Sequence, residues 1–340
     1  MVGSRIKVLV VDDSIVFREA IMRGISQDRQ IEVVAGAEDP FIARDKILKY
    51  EPDVMICDVE MPRMNGIEFI RRLLPQYPLP VIVVSGRSNA VFEALDAGAV
   101  DFIPKPEEKT ALAMKHFIEE LLLKIKMTVG AKVVEQKELT GAELPPDMIF
   151  PEGRIIAMGA STGGTEAIYQ ILKLLPAGIP GIVITQHIPP VFSAMFAKRL
   201  NAQTGLEVKE AASGDVIRKG SVLLAPGDRH MRIRKSGKDY ITEVFEAEKV
   251  NGHCPSVDVL FDSVAREADR KAVGIILTGM GYDGARGLLS MRRKGARTIG
   301  QDERTSVVYG MPKVAYDLGA VERQTALQAI PKVLAEMLLE

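Results

Sequence analysis

The chain has 340 residues, 47% apolar and 26% charged, enough for two domains of ordinary size, each with its own core. Lys and Arg total 44 against 45 acidic residues, and a net charge of −1 removes the electrostatic case for nucleic acid or an anionic membrane as partner. Two distant cysteines (Cys57 and Cys254), no signal segment and no apolar run of membrane-spanning length lead to the expectation of a cytoplasmic protein with no membrane insertion.

From the start, apolar strands alternate with amphipathic helices. Residues 6–11, 31–35, 54–57, 81–84 and 100–103 read as strands. Residues 15–25, 40–49, 67–74, 90–97 and 112–126 read as helices. This alternation predicts a doubly wound α/β domain with a five-stranded parallel sheet covered on both faces.

Ligands of such a sheet collect at the carboxyl ends of its strands. The first strand ends in Asp12-Asp13, the third in Asp58, the fourth in Ser85 and the fifth near Lys105. Converging carboxylates repel one another, and a hard divalent cation with oxygen ligands relieves that repulsion. A lysine and a hydroxyl beside them can hold the oxygens of a phosphoryl group. The plainer alternatives are helix capping for Asp12-Asp13 and a solvated loop charge for Lys105, and they do not explain why all these groups fall on strand ends.

Val10-Val-Asp-Asp13, Ile56-Cys-Asp-Val-Glu-Met-Pro62 with Asn65-Gly66, Val83-Val-Ser85 and Asp101-Phe-Ile-Pro-Lys105-Pro106 resemble the response-regulator receiver domain over residues 1–127. The resemblance implies that Asp58 accepts a phosphoryl group from a histidine kinase, with Asp12 and Asp13 beside it supporting Mg²⁺. It implies that Lys105 pairs with the phosphoryl oxygens, that Ser85 and Phe102 form the switch pair, and that the Lys105–Pro106 bond is cis.

Residues 128–152 lose the pattern. Charged residues mix with Gly130, Gly141, Pro145, Pro146 and Pro151, which reads as an interdomain linker with a soft boundary.

Alternation resumes over residues 153–340. Strands are read at 155–158, 181–185, 221–225 and 273–278, with a hairpin over 231–245. Helices are read at 166–175, 193–202, 257–268, 285–294 and 327–339. The expectation is a mostly parallel α/β domain with an antiparallel excursion.

The first strand of this half breaks into Gly159-Ala-Ser-Thr-Gly-Gly164, which places Ser161 on a strand-to-helix turn. Gly159-x-Ser161-x-Gly163 fits the G-x-S-x-G nucleophile pattern. A phosphate-binding loop fits poorly, because Thr165 stands where its lysine belongs, and the dinucleotide fingerprint lacks a glycine at Ser161. A helix cap on a tight turn is the plain alternative.

Four histidines are available. His116 lies on the last helix of the first domain and reads as a surface or packing residue. His187, His230 and His253 all fall on loops, and His187 is preferred because its strand should neighbour that of Ser161. Asp283 stands at the end of the apolar run Gly274-Ile-Ile-Leu-Thr278, with Asp215, Asp228 and Asp258 as rivals and a helix cap as the alternative role. Serine, histidine and aspartate at three strand ends make a nucleophile, base and orienting acid, and this chemistry needs no cofactor.

The order Ser, His, Asp differs from that of α/β-hydrolases. The motif around Ser161, Gln186-His187, Pro226-Gly-Asp-Arg-His230, Cys254-Pro-Ser-Val-Asp258 and Thr278-Gly-Met-Gly-Tyr-Asp-Gly284 resemble the chemotaxis protein-glutamate methylesterase catalytic domain. That resemblance implies Ser161 as nucleophile, His187 as base and Asp283 as orienter. It further implies methylated chemoreceptors as substrates, demethylation of their glutamates and deamidation of their glutamines. Backbone amides at Thr162 and Met280 are the candidate oxyanion donors. Receiver followed by hydrolase suggests gating, in which the unphosphorylated receiver covers the site.

A response regulator whose second half only binds is the competing reading. Of the basic and acidic side chains, 17 and 20 lie in residues 1–127, leaving 27 and 25, so no basic footprint for nucleic acid remains.

Overall fold

The computed structural model describes residues 5–62, 64–86, 88–108, 110–129 and 143–340. The chain divides into two units, Met1–Gln136 and Lys137–Glu340. Of the stretch read as a linker, residues 130–142 lie outside the described residues. Within the second unit Leu144 donates to the Leu174 carbonyl and Phe150 is buried.

In the first unit the strands are β1 Ile6–Val11, β2 Ile31–Ala37, β3 Val54–Asp58, β4 Val81–Ser85 and β5 Asp101–Pro104. They form one parallel sheet in the order β2-β1-β3-β4-β5. Helices α1 Ile15–Ile25, α2 Pro40–Tyr50, α3 Gly66–Leu73, α4 Ser88–Asp96 and α5 Ala111–Thr128 connect them. The sheet is buried on both faces, so its strands read as unbroken apolar runs, and Val8 to Val11 are fully buried. Short polar side chains start the helices. Ser14, Asp39, Asn65 and Thr110 each accept an N–H of the first turn, so the helix starts fall close to where the sequence places them.

The strand order reverses between β1 and β3, and the crevice at their carboxyl ends is the natural ligand position of an open α/β sheet. The Lys105–Pro106 bond is trans, against expectation; Cys254–Pro255 is the cis bond found among the described residues. With that bond trans, Lys105 donates its N–H to the Ser85 carbonyl and its Nζ still reaches the crevice, so nothing there opposes the ordinary trans preference of ~0.5–1 kcal/mol.

The second unit carries a seven-stranded sheet in the order β14-β13-β12-β6-β7-β9-β8, parallel throughout. Its strands are β6 Ile155–Ala160, β7 Gly181–Gln186, β8 Glu207–Glu210, β9 Ser221–Leu224, β12 Ala272–Ile276, β13 Arg297–Gln301 and β14 Arg323–Thr325. The hairpin, β10 His230–Ser236 and β11 Asp239–Phe245, forms a separate two-stranded sheet. Helices are α6 Gly164–Leu172, α7 Phe192–Gln203, α8 Val257–Glu267, α9 Ala285–Arg293, α10 Met311–Asp317 and α11 Ile330–Leu339.

One core joins β6, β7 and β12 to α8, α9 and the inner face of the hairpin, through Ile155, Val183, Ile276, Leu260, Phe261, Leu288, Met231 and Ile233. Each such side chain contributes about 1.5–3 kcal/mol on burial. The close approach of α8 to β6 depends on Gly159, where a Cβ would lie 2.2 Å from Cγ1 of Val257. β8, β13, β14 and α10 had no sequence forecast. They are short, and two of the strands are polar edges; β13 carries Gly300, against which Val321 packs in place of a side chain.

Candidate active site

β12, β6 and β7 are neighbours in the sheet, and the residues leaving their carboxyl ends bring Asp283, Ser161 and His187 to one edge. Ser161 opens the turn between β6 and α6. Its N–H donates to the Thr278 carbonyl at 3.0 Å, and its own carbonyl accepts from the Gly164 N–H at 2.7 Å. Gly163 closes the turn at φ +76°, a conformation that costs glycine nothing. The buried Gln186 amide ties this turn to the next strand, its Nε2 donating to the carbonyls of Ser161 (2.9 Å) and His187 (3.0 Å).

His187 directly follows β7. Its Nε2 lies 2.9 Å from Oδ2 of Asp283, and a carboxylate acceptor selects the tautomer with the proton on that nitrogen. Nδ1 is thereby left as the ring's acceptor. It is buried and has no hydrogen-bond partner, the Ser161 hydroxyl included. Such contacts commonly tighten only when substrate is bound.

Asp283 sits in a nest of donors. Oδ1 accepts from Asn251 Nδ2 (2.8 Å), Ser256 Oγ (2.7 Å) and the Asp258 N–H (3.3 Å), and Oδ2 also accepts from the Val257 N–H (2.6 Å). Burial alone pushes this carboxyl up. The bond and charge of His187, followed by the bonds from Asn251 and Ser256, outweigh it and hold Asp283 well below the usual carboxylate range. An ionised acid that orients the imidazole is what a serine–histidine relay requires.

The rival residues have other partners. His230 is fully buried; it accepts the Ser256 N–H at Nδ1 and its Nε2–H donates to the Glu248 carbonyl, so it braces the loop that holds Asp283. Asp215 pairs with Lys209. Asp258 accepts from Asn251 Nδ2 and the Gly287 N–H, and burial, with help from the Asp283 charge, raises its carboxyl. His253 stacks on His187. His116 is exposed.

Of the proposed oxyanion residues, Thr162 is buried and its carbonyl accepts from Thr278 Oγ1 at 3.0 Å. Met280 follows Gly279, where a Cβ would lie 2.7 Å from Cβ of Ser161, so its loop packs directly on the serine. The holding roles of Asn251, Ser256 and Thr278 were not read from sequence. An Asn-Gly turn and a serine before a helix signal local structure, and nothing in that signal points to a partner about thirty residues away.

A second polar cluster occupies the crevice of the first unit. Asp12 and Asp58 are buried and Asp13 is exposed, and the three can each offer an oxygen within 4.8 Å of the others. Lys105 Nζ donates to Oδ2 of Asp12 (3.0 Å) and of Asp58 (2.7 Å). Burial raises both carboxyls despite the lysine, while the two carboxylates overcome the effect of burial on Lys105 and raise it. Ser85 and Phe102 are buried on the adjacent strands β4 and β5. A hard all-oxygen donor set with surplus negative charge fits a divalent cation such as Mg²⁺.

A receiver crevice on one unit and a serine–histidine–aspartate edge on the other define a response regulator with a hydrolase as its output. The CheB methylesterase family matches residues 156–334, and the response regulator receiver domain family matches residues 8–116. The chain belongs to the CheB methylesterase family, in its form with a receiver domain. It is 56% identical to a protein-glutamate methylesterase/protein-glutamine glutaminase of Syntrophomonas wolfei, over 98% of each chain. It is 46% identical to one of Syntrophotalea carbinolica, over 99% of this chain and 98% of that one. The crystal structure of the Thermotoga maritima CheB methylesterase catalytic domain covers 55% of this chain and all of its own, at 35% identity and a TM-score of 0.54. Among the described residues, no helix is long and apolar enough to cross a membrane.

Proposed function

We propose that this chain is a cytoplasmic protein-glutamate methylesterase and protein-glutamine glutaminase of chemotaxis, acting on chemoreceptors through Ser161, His187 and Asp283 and regulated by phosphorylation at Asp58. The observation that carries the catalytic assignment is the state of His187: Nε2 is tied to Asp283, and Nδ1 is a buried acceptor with no partner.

Ser161 Oγ attacks the carbonyl carbon of a glutamate methyl ester while His187 Nδ1 takes the hydroxyl proton. Asp283 stabilises the imidazolium that forms. The backbone amides of Thr162 and Met280 receive the developing oxyanion, helped by the N-terminus of α6. Collapse breaks the ester C–O bond, and methanol leaves with the proton from His187. Water, deprotonated by His187, then attacks the acyl-enzyme and frees glutamate and the serine. A glutamine amide enters the same sequence and releases ammonia.

In the receiver, an Asp58 oxygen attacks the phosphorus of a phosphohistidine on the partner kinase. Asp12, Asp13 and Asp58 would hold Mg²⁺, which neutralises the phosphoryl oxygens when bound. Lys105, already 2.7 Å from Asp58, exchanges a carboxylate partner for a phosphoryl oxygen, and the hydroxyl of Ser85 with the ring of Phe102 relays the change.

Methanol release from methylated chemoreceptor fragments tests the assignment. Ser161→Ala abolishes release on this reading; release by that variant at the wild-type rate contradicts it.

A further inference from the structure

His253 has no part in the reaction described above, yet it lies against its base. The rings of His253 and His187 are stacked, 3.7 Å between centroids and 9° from parallel. The loop that carries His253 is fastened on both sides. Val250 and His253 exchange backbone hydrogen bonds of 3.0 and 2.9 Å, and Asn251 and Ser256 both donate to Oδ1 of Asp283. One loop therefore grips the acid with two side chains and covers a face of the base with a third.

A single hydrogen bond does not fix an imidazole. The Nε2–H···Oδ2 bond to Asp283 sets where that nitrogen sits, but it leaves the ring free to tilt about the bond axis. A flat neighbour at van der Waals separation removes the tilt, and the two constraints together give Nδ1 one direction. The stack also keeps water off that face and offers a π surface to the ring at the moment it becomes cationic.

We propose that His253 is a positioning residue: its ring fixes the plane of His187, so that the buried, unpartnered Nδ1 is aimed at the Ser161 hydroxyl. The proposal deepens the reading of His187 as general base and rests on it.

The test uses the full chain as wild type, His253→Ala, His253→Phe and His253→Leu. Phe keeps a flat face, and Leu keeps bulk without one. Two readouts are taken: kcat and KM for methanol release from methylated chemoreceptor fragments, and the rate at which a fluorophosphonate labels Ser161. Thermal unfolding checks that each variant is folded, and the comparison of Phe with Leu carries the test if Ala does not fold.

Ala and Leu should lower kcat and the labelling rate by about tenfold or more with little change in KM, as loss of orientation does. Phe should restore both to within about threefold of wild type. Wild-type rates in Ala or Leu, or a folded Phe variant as slow as Leu, would overturn the proposal. Labelling that depends on His253 in a chain that releases no methanol would remove the methylesterase reading and leave the positioning role standing.

Discussion

Asp283 meets His187 through one contact, Oδ2 to Nε2 at 2.9 Å, and all the other hydrogen-bonding groups around that carboxylate are donors. An amide in its place must turn an NH₂ toward Asn251 and Ser256 or toward His187 and Val257. Asp283→Asn should lower kcat by roughly 10³–10⁴, since the imidazole loses its tautomer and its counter-charge. It should also destabilise the second unit by about 1–3 kcal/mol through the mismatched donors. Methanol release and urea unfolding measure the two effects separately.

Asn251 is the second control point, because its Nδ2 bridges Asp283 and Asp258. The Asp283 carboxyl is held below its unfolded value. Its contribution to stability is full above roughly pH 4, the ordinary Asp value, and is lost as pH falls through the folded one. Asn251→Leu removes a donor from Asp283 and leaves it facing Asp258, whose carboxyl is already raised. The variant should be less stable than wild type at neutral pH, with the gap narrowing below roughly pH 4. Urea midpoints at neutral pH and at about pH 3 check the sign.

The receiver runs the opposite way. Burial raises the Asp58 carboxyl, so the folded state binds its proton more tightly than the unfolded one. That contribution to stability is present below the unfolded value and is lost as pH rises through the folded value. At neutral pH without divalent cation, Asp58→Asn should therefore raise the melting temperature of the receiver transition. Mg²⁺ should raise the melting temperature of wild type and not that of the variant, and calorimetry with Mg²⁺ or EDTA reads both effects.

Gly66 tests the packing beneath Asp58, the proposed phosphoryl acceptor. A Cβ there would stand 2.1 Å from the Asp58 carbonyl oxygen, a backbone atom that cannot yield without moving the strand end. Gly66→Ala should destabilise the receiver by about 1–3 kcal/mol. It should also slow phosphorylation of Asp58 by a small-molecule phosphodonor, as followed by phosphate incorporation.

The features that were legible in the sequence are those the chain encodes locally. Fully buried parallel strands are unbroken apolar runs, so β1, β3, β4, β6, β7 and β12 can be read directly, and the polar residues at or beyond their ends mark both candidate sites. β8 and β14 escaped because short edge strands are half-exposed and carry residues such as Glu207, Lys209, Arg323 and Gln324, and the interior strand β13 because Ile299 is its one large apolar side chain, set among Arg297, Thr298, Gly300 and Gln301. Ser161, His187 and Asp283 stand out as candidates because each directly follows or closely trails a strand. Asn251, Ser256 and the stacked His253 lie on a loop whose role exists only once α8 packs against β6, and no local pattern encodes that contact.

The most direct test of the account is methanol release by the full chain from methylated chemoreceptor fragments in Mg²⁺, with and without a small-molecule phosphodonor. Release should rise with the phosphodonor, lose that rise in Asp58→Asn and disappear in Ser161→Ala. Undiminished release by Ser161→Ala, or none from phosphorylated wild type, would contradict it.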